Sequence, residues 1–139
     1  MMKRSIFILL TLAIGSITML NSCDKPAGEG GTSTIKGKIY VKEYNSNFTI
    51  LQSEHFGMEE RVYIIYGDGD FYDDDLRTSY DGTYEFRNLR KGSYRVFTYT
   101  EDSTMNQVLY PGGVYAIIDT VQITDDNQTI ELPTITIYK

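Results

Sequence analysis

From Thr78 to Val96 the chain reads TSYDGTYEFRNLRKGSYRV, and almost every residue in that run has a positional reason. Asp81-Gly82 is a turn pair, because aspartate hydrogen-bonds its own neighbouring backbone and glycine accepts a positive φ. After it Tyr84 and Phe86 alternate with Glu85 and Arg87, a period of two that sends one set of side chains inward. Gly92 permits a second reversal, after which Tyr94 and Val96 return to the same interior. The run therefore reads as a hairpin of two half-buried strands.

The same alternation extends outward in both directions. On the N-terminal side Ile35, Gly37, Ile39 and Val41 fall on one face of a strand, while Lys36, Lys38, Tyr40 and Lys42 fall on the other. Further β-branched and aromatic runs cover residues 48–51, 61–66, 83–87, 93–100, 114–119, 121–124, 129–132 and 134–138. Lys91-Gly92, Pro111-Gly112-Gly113 and Asp125-Asp126-Asn127 add turn signals between them. From Thr34 onward no segment keeps a 3.6-residue apolar period for three turns. The expectation is one all-β domain from Thr34 to Lys139, a β-sandwich of about seven to nine strands.

The spacing T-x-x-D-G-x-Y-x-F-x-x-L-x-x-G-x-Y-x-V, carried by Thr78, Asp81, Gly82, Tyr84, Phe86, Leu89, Gly92, Tyr94 and Val96, resembles carboxypeptidase-regulatory-like and Cna protein B-type domains. Ile35-Lys36-Gly37-Lys38-Ile39 resembles their first strand. The resemblance implies an immunoglobulin-like or prealbumin-like sandwich, and it speaks to fold rather than to activity. Some members carry an internal Lys-to-Asn isopeptide bond, for which Lys36 or Lys38 would supply the amine. The last strand here, residues 132–138, holds neither Asn nor Asp, so both lysines read as a solvated face.

Ahead of the domain, Lys3 and Arg4 precede an apolar stretch from Ile6 to Leu20, too short to span a bilayer, as a secretory signal requires. Leu20-Asn21-Ser22-Cys23 resembles the lipobox of bacterial lipoproteins, which implies a signal peptide over 1–22 and a lipidated Cys23. Cys23 is the only cysteine, and lipidation gives a lone exported thiol its purpose. Residues 23–33, rich in glycine and small polar residues, are expected to be a flexible tether. The localisation implied is the cell envelope, at the outer membrane in preference to the inner.

Composition narrows the partners. Lys3 and Arg4 leave with the signal, so 13 basic residues become 11 against 19 acidic ones, and the formal charge moves from −6 to −8. Such a surface disfavours nucleic acid. Five carboxylates crowd residues 67–75, and Asp68, Asp70, Asp73, Asp74 and Asp75 are candidate calcium ligands, since hard cations take several oxygens. Tyr72 and Asp73 break the EF-hand spacing, so a solvated loop is the competing reading.

Twelve tyrosines and no tryptophan form the other excess. Tyrosine is a strong strand former, so packing explains most of them, and the lack of tryptophan removes one common sugar-stacking residue. Tyr63, Tyr99 and Tyr115 are nevertheless candidates for a shared outward face that recognises a peptide or sugar. His55, expected in a loop over 52–60, is the only histidine, so no nucleophile and base can be paired and no enzyme is expected. The function expected is a lipid-anchored, non-catalytic module that binds, assembles or spaces, with no cofactor. Its partners would be the membrane, through Cys23, and an envelope protein or glycan. The alternative is calcium-dependent ligand binding through residues 68–75.

Overall fold

A computed structural model describes residues 25–106 and 108–139. The signal 1–22 and Cys23 lie outside the described residues. Nine strands follow in order: β1 (Glu29–Tyr44), β2 (Leu51–Phe56), β3 (Arg61–Tyr66), β4 (Asp74–Arg77), β5 (Thr83–Leu89), β6 (Gly92–Glu101), β7 (Val114–Ile123), β8 (Thr129–Glu131) and β9 (Ile135–Tyr138). They form two sheets, one of β1, β2, β5, β8 and β9, the other in the order β4-β3-β6-β7. The expected all-β sandwich is what the chain adopts.

β1 organises the first sheet. Its burial alternates as its sequence does, with Ile35, Gly37, Ile39 and Val41 buried and the intervening lysines and Tyr40 half-exposed. β5 and β2 pair with it antiparallel, along its first and second halves. β8 and β9 pair with it parallel in the same succession. The Ile39 backbone bonds Gly82 and Gly57, whereas Thr34, Lys36, Lys42 and Tyr44 bond the chain around β8 and β9, so both edges of β1 are filled. Between the sheets Ile35, Ile39, Val41, Val62, Ile64, Tyr84, Phe86, Tyr94, Val96, Ile123, Ile135 and Ile137 form one core. Thr100 ties the layers, its hydroxyl oxygen accepting the Tyr138 N–H at 2.8 Å.

Several expectations need correction. β5 and β6 are not a hairpin: β5 pairs with β1, and β6 with β3 and β7, so residues 89–92 carry the chain from one sheet to the other. Gly92 at φ 144° and Asn88 at φ 57° make that corner, and a Cβ on Gly92 would stand 2.6 Å from Ala27. Residues 114–119 and 121–124 are one strand, because Asp119 and Thr120 continue the ladder against β6. The strand expected at 48–51 lies instead at Leu51–Phe56, which puts His55 in β2 rather than in a loop. β4, rich in aspartate, was not expected. It pairs with β3 despite its composition because Leu76 stands opposite Val62 and packs on the core.

The segment read as a tether also differs. β1 begins at Glu29, Ser33 is buried, and Glu29 already pairs with Leu89. Arg90 explains why a glycine-rich stretch is ordered here. Its Nε–H donates to the Pro26 carbonyl at 2.8 Å, its guanidinium also donates to the Glu29 carbonyl, and its own N–H reaches the Gly28 carbonyl at 2.8 Å. The Tyr94 hydroxyl accepts the Gly28 N–H at 2.9 Å and donates to the Arg90 carbonyl at 2.6 Å.

Candidate functional site

Strand alternation fixes which side chains the four-stranded sheet turns outward. In β6 Tyr94, Val96, Thr98 and Thr100 face the core, so Arg95, Phe97 and Tyr99 face away from it. Tyr63 of β3 stands directly opposite Phe97, and Ile118 of β7 stands opposite it on the other side. The outcome is an aromatic row across the sheet. Tyr63 and Phe97 stack with ring centroids 4.9 Å apart at 13°. Tyr99 meets both edge-on at 5.7 Å, and Tyr72, from the loop after β3, meets Tyr63 at 5.0 Å.

The row is layered by exposure. Phe97 is buried by its neighbours, whereas Tyr72 and Tyr99 are each about half exposed, at 52% and 51%, as is Ile118. Charged groups interrupt the apolar surface. Asp75 of β4 is the cross-strand neighbour of Tyr63, and its Oδ2 lies 3.5 Å from Arg61 Nε. Arg95 lies opposite Ile65 on the same face, and its guanidinium donates to the Gly69 carbonyl, which folds the loop over Ile65. Two half-exposed phenols, held by a stacked pair and flanked by an Arg–Asp pair, offer ring faces and hydrogen-bonding groups together.

Of the three tyrosines expected to share a face, Tyr63 and Tyr99 do. Tyr115 does not. It is the register partner of Thr100, whose side chain is buried, so it lies on the opposite face of the sheet, stacked on Tyr110 at 4.5 Å. Burial, followed by the neighbouring Tyr110, raises its phenol above the usual range. Phe97 and Tyr72 went unrecognised as members of the row. Phe97 could have been found from its odd position between Val96 and Tyr99, whereas Tyr72 joins through a loop whose path no alternation predicts.

The five aspartates do not converge. Asp73 Oδ2 accepts the Tyr66 N–H at 2.7 Å, Asp74 Oδ1 accepts the Asp75 N–H at 2.8 Å, and Asp75 turns to Arg61. Asp74 and Asp75 belong to β4, where successive side chains point to opposite faces. Among the described residues no group of three or more His, Cys, Asp or Glu side chains is arranged to hold a metal ion. Asp73 and Asp74 instead line a shallow cavity of about 410 Å³ with Ala27, Gly28, Tyr66 and Arg90. Burial, with help from Asp74 and other carboxylates, pushes the Tyr66 phenol up to about 12.

His55 sits exposed on β2, with Nδ1 2.9 Å from the Phe56 carbonyl and Nε2 3.5 Å from Glu43. The contact with the Phe56 carbonyl is the first cause of its raised pKa. Glu43 is held below the usual carboxylate range, first by the Ser53 hydroxyl and then by His55. Lys36 and Lys38 form ion pairs with Glu131 at 3.1 Å and Asp81 at 3.5 Å.

No protein-family model matches the chain, and no curated protein matches it. Among solved structures it is similar to a crystal structure from Pseudomonas aeruginosa provisionally named as a carbohydrate binding protein. The two are 14% identical, with 77% of this chain and 91% of that one covered and a TM-score of 0.46. At that distance the likeness bears on neither ligand nor site.

Proposed function

We propose that this protein is a non-catalytic binding module of the cell envelope, anchored through a lipid on Cys23, and that its ligand is a glycan taken on the outer face of the four-stranded sheet. The observation that carries the reading is the row Tyr72, Tyr63, Phe97 and Tyr99. Its exposed phenols are rigid, have few rotamers to lose, and combine a ring face for sugar C–H groups with a hydroxyl. The Arg61–Asp75 pair beside Tyr63 offers a donor and an acceptor to sugar hydroxyls. A face interrupted by charge at this spacing suits a ligand that is itself apolar and polar by turns. With a charge of −8 after signal removal, an uncharged or amino-bearing glycan is favoured over a polyanionic one.

The test is binding of the chain from Lys25 onward to a panel of neutral, amino and acidic polysaccharides, followed by calorimetric titration of soluble fragments. Tyr72→Ala and Tyr99→Ala are each expected to weaken binding about tenfold or more, as truncating an aromatic anchor does. Both should unfold at nearly the wild-type temperature, since both side chains are half exposed. Binding that neither substitution changes, or no binding across the panel, would remove the glycan reading.

A further inference from the structure

The Leu89–Gly92 corner holds the N-terminal segment, and its surroundings are charged in a pattern. Arg90 and Tyr94 fasten residues 26–29 to the sandwich through four hydrogen bonds. Only Asp24 and Lys25 separate Cys23 from Pro26. Three residue steps, fully extended, reach at most about 11 Å. A lipid on Cys23, as proposed above and on which this inference rests, therefore keeps this corner within about 11 Å of the anchored residue, beside the headgroups.

Two shallow cavities flank the fastened segment. One, of about 470 Å³, is lined by Lys25, Thr32, Arg90, Lys91, Asp126 and Asn127. Lys91 is paired with Asp126 at 3.1 Å, so the group carries three cations against one anion. The other is lined by Asp73, Asp74 and Glu29 with Arg90. The corner is thus basic on one side and acidic on the other. Phosphate headgroups attract the first side and repel the second, over distances shorter than the screening length of about 8 Å at physiological salt.

We propose that this corner is a membrane-docking surface, with the cavity of Lys25, Arg90 and Lys91 seated on the phosphate headgroups of the bilayer that carries the anchor. The acidic side tips away from the bilayer. The opposite end of the domain, around Tyr44 and Lys139, projects outward, since a 16-residue strand measures about 50 Å.

The test uses the full lipidated protein in vesicles containing anionic lipid. Lipidation blocks the sole native thiol, so a fluorophore can be placed by Gln122→Cys beside the corner, opposite Ser93, or by Ser46→Cys at the far end, both positions being exposed. Energy transfer to headgroup-labelled lipid is expected to be several-fold stronger from position 122 than from position 46. Lys25→Glu with Lys91→Glu should lower it at 122, and Arg90→Ala should narrow the difference between the two positions. Equal transfer from both positions, or no response to charge reversal in protein that stays on the vesicles, overturns the docking surface. A wild-type protein that does not stay with the vesicles overturns the anchor instead, and the docking surface with it.

Discussion

Gly37 and Tyr84 are cross-strand partners in β1 and β5, and a Cβ on Gly37 would come 2.4 Å from the Tyr84 hydroxyl. The phenol lies over the glycine because nothing else can occupy that space. Its hydroxyl is buried without a hydrogen-bond partner among the described residues, and burial raises its pKa well beyond the usual tyrosine value. An unpaired buried hydroxyl costs about 1–3 kcal/mol. Tyr84→Phe should therefore be neutral or stabilising by about 1 kcal/mol, whereas Gly37→Ala should destabilise by about 2 kcal/mol or more through overpacking. Urea denaturation of both single variants and the pair checks this, and the pair should recover part of the alanine's cost. A Tyr84→Phe variant weaker than wild type would mean that the hydroxyl is satisfied after all. The inward direction of Gly37 was legible from alternation, but its purpose was not, because that depends on the register between strands distant in the chain.

The turn from Thr78 to Thr83 shows what a short motif can specify. Gly82 adopts φ 78°, and the Asp81 carboxylate accepts from the Ser79 hydroxyl at 2.7 Å and from the Thr83 hydroxyl at 2.9 Å. Those bonds, the Ser79 hydroxyl first, hold its pKa far below the usual carboxylate range. A carboxylate with a depressed folded-state pKa contributes stability that is complete above its unfolded pKa of about 3.9 and is lost as pH falls toward the folded value. Asp81→Asn should thus lower the melting temperature at pH 7 and flatten its decline below about pH 4. Parallel melting curves for the two proteins from pH 7 to pH 2 would contradict that role. Turn chemistry and inward residues were readable here because both are local. The sheet that each strand joins was not, since β5 and β6 alternate identically whether they pair with each other or with different partners. The same limit misplaced Tyr115: consecutive strands were expected where β7 runs continuously through Thr120, and only the β6 register reveals which parity faces out.

At the scale of the molecule, β1 is the shared member of every pairing in its sheet. β9 closes the second half of one of its edges and places Ile135 and Ile137, 4% and 1% exposed, in the core. Losing two such side chains costs about 2–5 kcal/mol each, comparable with a total stability of about 5–15 kcal/mol. A chain ending at Glu131 is therefore expected to show no cooperative thermal transition, and a transition near the wild-type temperature would show that β9 is dispensable. One architectural fact reaches further, into how the protein is made. Because β8 and β9 lie far along the chain from β1, that strand is made well before the two that complete its edge. Until then Ile35, Ile39 and Val41 have an open edge beside them. Pairings this distant in the chain make folding slow and leave the early strand exposed to aggregation. The half of that edge from Ile39 to Lys42 stays unpaired until Ile135 to Tyr138 are available to it.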